Sequence, residues 1–250
     1  MKLSILLPNK SQGEKLIQNL VKEILPYFDS KGFPYEVLIC PNGCNEEEMA
    51  YFQEASSSLP PQVRVLPNAE KGKGSGVKQG ILAAQGEYVL FMDADLATGL
   101  EVFDRVYPLF GVSDAIVASR DVKGSRYGKK QPFVRRLTHF VSRQIIAAMF
   151  HLHIKDTQCG YKCFRHSVAK KMVEKQTILD FAFDVEYLYF LRLNGFRIDE
   201  VPCVWTDDPD STITKKGSVY RKFFADLKKV KKNKDHYRLS EKEKEETHAH

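Results

Sequence analysis

Tyr88-Val89-Leu90-Phe91-Met92-Asp93-Ala94-Asp95 is a short apolar run that stops at two carboxylates one residue apart. Alternate side chains of a strand share a face, so Asp93 and Asp95 are expected to point the same way from its carboxyl end. Hard oxygen ligands on one side of Mg²⁺ or Mn²⁺ leave its other positions for water and substrate phosphates. An Asp-x-Asp also serves simply to end a strand and cap the next helix. Its surroundings decide between the two.

Before this run, residues 3–7, 35–40 and 63–66 are strand-like. Between them, 14–28 and 46–56 carry helical patterns; in the first, Leu16, Ile17, Leu20, Val21, Ile24 and Leu25 form one apolar face that should end at Pro26 or soon after. Pro41-Asn42-Gly43 cuts the second strand. Gly72-Lys73-Gly74-Ser75-Gly76 then opens a helix expected over 77–84. Amides at a helix start suit an anion, but the spacing is neither a Walker loop nor a dinucleotide fingerprint, and taken alone the segment reads as a tight turn rather than a phosphate cradle. Strands alternating with helices predict an α/β fold with a mostly parallel sheet.

The second half is less regular. A strand at 115–119, a basic loop, a long helix at 134–150 and a strand at 161–164 are followed by helices at 167–174 and 184–194, with Gly195 as a stop. A strand at 198–205 is the last element expected in the sheet. From Lys229 onward the chain is charged and short of apolar residues, which predicts a frayed tail. No internal repeat is present.

At 250 residues, with 43% hydrophobic and 28% charged residues, the chain has the composition of a globular protein, not of a disordered or fibrous one. Lys2 to Leu7 is too short for a signal-peptide core, and no stretch reaches the roughly 18 apolar residues of a bilayer span, so a cytoplasmic location is expected. Cys40, Cys44, Cys159, Cys163 and Cys203 are odd in number and lack zinc-ligand spacing, which predicts reduced thiols. The net charge of +6 is concentrated in 123–143 and 215–234 and implies anionic partners. Nucleic acid is not expected among them, because no nucleic-acid module or basic-aromatic interleaving is present.

Lys-Gly-Lys-Gly before a helix and Asp-Ala-Asp at a strand end are followed by Asp156-Thr157-Gln158-Cys159-Gly160-Tyr161-Lys162 and Phe181-Ala182-Phe183-Asp184-Val185-Glu186. In this order the motifs resemble those of the family 2 inverting glycosyltransferases, most of all the dolichyl-phosphate (polyprenyl-phosphate) glucosyltransferases and mannosyltransferases. The resemblance runs over about residues 3–213. It implies a GT-A type fold, Rossmann-like with a mostly parallel sheet flanked by helices. Residues 1–117 would form the nucleotide-sugar half, 118–213 the acceptor half, and 214–250 a basic amphipathic helix and charged tail.

The same resemblance implies roles for single residues. Asp93 and Asp95 match the metal-binding pair, with Mg²⁺ or Mn²⁺ bridging the donor's phosphates. Arg120 matches a phosphate-binding position, for which a forked guanidinium is suited. Pro8 and Asn68 match donor positions, with Lys71 and Lys73 near the diphosphate or nucleoside and Lys215 near the motif around Ser211-Thr212-Ile213; Asn42, where the pattern has an aspartate, can still hydrogen-bond a uracil edge or ribose hydroxyl as a neutral group. Asp156, Gln158 and Asp184 are the catalytic candidates: a hydroxyl acceptor needs Asp156 or Asp184 as a base, whereas a phosphate acceptor is already an anion. Asp184 and Glu186 are equally able to pair with Arg192 or Lys162 on a solvated face.

Three departures from the pattern stand out. Pro41-Asn42-Gly43-Cys44 replaces the usual Asp-Asp-Gly-Ser, Pro8-Asn9-Lys10 lacks the usual aromatic and acid, and the lysine of Ser-Lys-Leu is missing near Ser211. The activity expected is metal-dependent inverting transfer of a hexose, with UDP-glucose the favoured donor, to a polyprenyl phosphate. The alternatives are the same donor chemistry on a soluble hydroxyl acceptor, or a non-catalytic protein that binds sugar nucleotides or anionic lipid. Retention of both aspartates argues against the last. Basic amphipathic segments at 135–146 and 219–228 suit a peripheral membrane contact, or else bury their apolar faces in the core.

Overall fold

A computed structural model describes residues 2–67, 70–128, 133–206 and 217–248. The first half alternates strand and helix: β1 (Leu3–Asn9), α1 (Gly13–Asn19), α2 (Leu25–Asp29), β2 (Tyr35–Pro41), α3 (Glu46–Ser56), β3 (Val63–Val65), α4 (Lys73–Ala83) and β4 (Tyr88–Met92). A π turn at Leu20–Ile24 joins α1 to α2, and in it the Leu25 N–H reaches back to the Leu20 carbonyl. Pro26, which has no N–H to place, follows at once, so the helical path continues to Asp29 instead of ending at the proline.

The second half contains α5 (Phe103–Val106), β5 (Ala115–Ser119), β6 (Arg126–Tyr127), α6 (Phe133–Phe150), β7 (Tyr161–Arg165), α7 (His166–Glu174), α8 (Phe183–Leu193), β8 (Ile198–Pro202), β9 (Val204–Trp205), α9 (Gly217–Lys232) and α10 (Glu241–His248). Seven strands form one sheet in the order β3-β2-β1-β4-β7-β5-β8. β7 runs antiparallel between β4 and β5, while the other pairings are parallel. The strand expected over 198–205 divides at Cys203, and β9 leaves the main sheet to pair with β6.

Both sheet faces are covered, which is why β1, β2, β4 and β5 are mostly apolar instead of alternating with polar residues. Leu3, Ile5 and Leu7 of β1 and Leu90 and Met92 of β4 pack on one side with Leu16, Phe28 and Phe103. Leu6, Val89 and Phe91 face the other side, with Val77, Phe164, Phe183 and Leu188. Asp93 continues the alternation of Val89 and Phe91 and so emerges on the α4 and α8 side.

α4 begins at Lys73, earlier than expected, and takes the glycine-rich segment into its first turn. Close packing explains the composition: a Cβ on Gly74 would lie 2.7 Å from the Phe183 Cβ. Gly74 lets α4 approach α8, which brings Lys73 toward the end of β4.

The tail is not frayed. Leu227, Val230 and Tyr237 are fully buried, and they join the core on the α8 side. The Ser167 hydroxyl donates to the Thr247 carbonyl at 2.8 Å, and Lys171 pairs with Glu246 at 3.0 Å, which fastens α10 to α7. A few well-spaced apolar residues among many lysines suffice to dock the segment. The apolar face of α9 is therefore spent on the core, one of the two outcomes its pattern allowed.

Candidate active site

The carboxyl ends of β1, β2 and β4 meet where the strand order reverses about β1, the place at which open α/β sheets hold their ligands. A cavity of about 450 Å³ lies there, within the range of small-molecule sites. Pro8 lines it from β1, Asn42 from the exit of β2, Lys71 and Lys73 from the start of α4, and Asp93 and Asp95 from the exit of β4. Six residues singled out in the sequence are thus brought to one cavity. Asn68 and Lys215 lie outside the described residues, as does the motif around Ser211.

Asp93 is held from several directions. Its N–H donates to the Gly160 carbonyl at 2.9 Å. Its Oδ1 accepts from Lys73 Nζ at 2.5 Å. Gly160 is required here, because a Cβ at that position would lie 1.9 Å from Asp93 Oδ2. Asp95 Oδ1 accepts the Ala97 N–H at 3.0 Å, so this aspartate also caps the turn. Leu96 between them adopts φ 56, a left-handed conformation that costs a non-glycine residue about 1–2 kcal/mol. The Asn19 side-chain amide donates to the Ala94 carbonyl at 2.8 Å and pins the turn to α1.

Burial lowers the pKa of the Lys73 ammonium, but Asp93, Asp184 and Asp95 more than offset this and leave it raised. Asp93 therefore already holds one cation, the Lys73 ammonium. Among the described residues no cluster of three or more His, Cys, Asp or Glu forms a closed metal cage. Two carboxylates at an open cavity fit Mg²⁺ or Mn²⁺ whose shell is completed by substrate phosphates and water.

Arg120 and Asp156 do not line the cavity. Arg120 Nε donates to Asp156 Oδ2 at 2.6 Å and Nη2 to Oδ1 at 2.9 Å, while the Arg120 N–H reaches Oδ2 at 3.0 Å. Asp156 is only 1% exposed. Burial would raise its carboxyl pKa, yet the Arg120 charge and hydrogen bonds hold it well below the usual carboxylate range. Here the Arg120 fork is taken up by the Asp156 carboxylate, which at this depth must be paired. Gln158 is half-buried beside it, its N–H donating to Asp156 Oδ1 at 3.2 Å. Asp121, next along the chain, accepts from His139 at 3.0 Å and pairs with Arg143 at 3.1 Å.

Asp184 sits in the first turn of α8, paired with Lys162 at 2.6 Å. Burial raises its carboxyl pKa, and Lys162 and Lys73 only partly restrain the rise. The pair is buried, not solvated. Glu186 is buried as well and accepts from the Thr177 N–H and Oγ1 at 2.7 Å, the Ile178 N–H at 3.0 Å and Tyr237 Oη at 2.7 Å. Neither Arg192 nor Lys162 is its partner in these contacts.

The far wall of the cavity comes from residues the sequence did not nominate: Asp180, Phe181 and Ala182 before α8, and Val219, Lys222, Phe223 and Asp226 on α9. Lys222 Nζ donates to Asp180 Oδ2 at 2.6 Å and ties the two segments together. Burial raises the Asp226 carboxyl pKa. Val219, Phe223 and Asp226 recur at i, i+4 and i+7, so helical spacing puts them on one face but does not say that this face covers the cavity. All five cysteines are buried thiols.

A model of glycosyl transferase family 2 matches residues 4–173. The chain is 28% identical over 221 residues to a dolichyl-phosphate beta-glucosyltransferase of Dictyostelium discoideum, covering 82% of this chain and 66% of the relative. It is 29% identical over 232 residues to the Drosophila melanogaster protein of the same name, covering 86% and 70%. The chain thus spans about two thirds of these relatives. Among solved structures, glucosyl-3-phosphoglycerate synthase from Mycobacterium tuberculosis, in complex with Mn²⁺, UDP and phosphoglyceric acid, superposes with a TM-score of 0.67 at 15% identity, covering 92% of this chain and 78% of that one. That likeness places the fold among the GT-A glycosyltransferases.

Proposed function

Because the chain belongs to glycosyl transferase family 2 and is a glycosyltransferase, we propose that it transfers glucose from UDP-glucose, with a divalent metal ion, to dolichyl phosphate or a similar polyprenyl phosphate, inverting the anomeric centre. The donor would lie in the cavity at the ends of β1, β2 and β4. Asn42 would hydrogen-bond the base or ribose as a neutral group. Lys71 and Lys73 would draw the diphosphate toward Asp93 and Asp95, which would hold Mg²⁺ or Mn²⁺. The ion, when bound, neutralises charge that develops on the departing diphosphate. Residues 1–117 would supply this donor surface, with α9 and Asp180–Ala182 closing it and 118–213 facing the acceptor.

One observation carries the choice of acceptor. The two carboxylates nominated as bases, Asp156 and Asp184, are both buried in ion pairs, with Arg120 and Lys162. A hydroxyl acceptor needs a base to take its proton, whereas a phosphate oxygen attacks as the anion it already is. Among the described residues no helix is long and apolar enough to cross a membrane. On α6, however, Phe140 and Val141 are 51% and 45% exposed. Such a face suits the surface of an anionic bilayer, where a polyprenyl phosphate resides.

The test is a thermal-shift panel of UDP, GDP, UDP-glucose and GDP-mannose with and without Mn²⁺, followed by acceptor assays. A ligand of the folded state raises its stability by mass action. The expected result is a Mn²⁺-dependent shift with UDP and UDP-glucose, and glucosylation of dolichyl phosphate. A shift with GDP ligands alone would overturn the donor. Transfer to a hydroxyl acceptor that is lost in Asp226→Asn would overturn the phosphate acceptor and make Asp226 the base.

A further inference from the structure

Lys162 stands opposite Phe91 in the antiparallel pair of β4 and β7, and it is 0% exposed. A buried ammonium persists only where partners replace the water it has lost. Lys162 Nζ donates to Asp184 Oδ1 at 2.6 Å and to the Cys159 carbonyl at 2.6 Å. It also lies 5.2 Å from the centre of the Phe91 ring, which Lys73 Nζ approaches at 5.8 Å. One side chain thereby joins β4, the start of α8 and the loop over residues 156–160.

That loop sets Asp93. The Gly160 carbonyl takes the Asp93 N–H, and Gly160 lies so close to the carboxylate that no Cβ fits between them. If the loop shifted, the Asp93 oxygens would shift with it. If Lys162 only filled volume, methionine would serve without burying a charge.

We infer that Lys162 is a positioning residue of the donor site: by tying the Cys159 carbonyl to Asp184, it holds Gly160 against Asp93 and aims that carboxylate at the metal and diphosphate. The inference rests on the proposed role of Asp93 in metal binding. A side chain that orients a metal ligand without touching the metal typically changes metal affinity by about 10–100-fold when removed.

Mn²⁺ binding by electron paramagnetic resonance at saturating UDP, together with thermal melts, tests it in the full chain. In Lys162→Met/Asp184→Asn no charge is left unpaired, so its melting temperature should exceed that of Lys162→Met alone. Its Mn²⁺ affinity should nevertheless stay about 10–100-fold below wild type, since the Cys159 carbonyl has lost its donor. Gly160→Ala, which leaves the Lys162 pair intact, should show a loss of similar size and serves if the double variant does not fold. Wild-type Mn²⁺ affinity in Gly160→Ala, or in a folded double variant, would overturn the inference while leaving the metal reading in place. If wild-type protein binds no Mn²⁺ with UDP, the metal reading falls and the inference falls with it.

Discussion

Lys73 Nζ lies 2.5 Å from Asp93 Oδ1, so the side chain best placed to meet a diphosphate is also the internal counter-ion of the carboxylate best placed to hold a metal. A metal ion on Asp93 would compete with Lys73 for that oxygen, and a diphosphate that drew Lys73 away would release it. Nucleotide and metal should therefore strengthen each other's binding. Lys73→Met should tighten Mn²⁺ binding in the absence of nucleotide and weaken UDP binding. With side chains 19% and 35% exposed, solvent screening limits the pair to about 1 kcal/mol, or about fivefold in Kd. Titrations of Mn²⁺ with and without UDP check this. Weaker Mn²⁺ binding by the variant alone would contradict it.

The fork between Arg120 and Asp156 predicts a pH dependence of stability. Asp156 has a folded-state pKa below its unfolded value of about 3.9, so its contribution is fully present above that pH and is lost as pH falls below it toward the folded value. Asp156→Asn leaves Arg120 buried without its partner and should cost about 3–5 kcal/mol at pH 7. The difference from wild type should shrink toward pH 3. Urea denaturation at both pH values measures it, and an equal deficit at each would contradict the assignment.

Tyr237 Oη donates to Glu186 Oε1 at 2.7 Å, and the Leu239 N–H donates to Asn194 Oδ1 at 2.8 Å, so the tail is part of the folded core. Tyr237→Phe removes a hydrogen bond to a buried carboxylate and should destabilise by about 1.5–3 kcal/mol. Hydrogen exchange should show the Leu239 amide protected in wild type and faster in the variant. Exchange at the rate of an unstructured chain in wild type would show that the tail is frayed.

The positions of β4, α3, α6 and α7 were legible in the sequence because apolar spacing is a local signal. Asn45 caps α3 through the Glu48 N–H at 2.8 Å, as expected of an asparagine before an acidic first turn. The cavity was half legible. Pro8, Asn42 and Asp93 stand at strand exits, where sheet topology gathers them. Phe223 and Asp226 were hidden because their helix arrives from the far end of the chain, and nothing local says which surface it covers. The partner of Asp156 was likewise out of reach, since Arg120 and Asp156 are both strong signals on their own and only tertiary packing decides that they satisfy each other. The docked tail was misjudged because composition counts its lysines, whereas packing depends on where Leu227, Val230 and Tyr237 fall.

Metal-assisted glucosyl transfer to a polyprenyl phosphate leaves a product that can be isolated. Its most direct test is the incorporation of labelled glucose from UDP-glucose into dolichyl phosphate in detergent with Mn²⁺, comparing wild type with Asp95→Ala. A β-linked, solvent-extractable glucolipid is predicted from wild type, with the rate in Asp95→Ala lower by about 10²–10³-fold through lost stabilisation of the leaving diphosphate. No glucolipid from wild type, or equal rates from both proteins, would contradict the account.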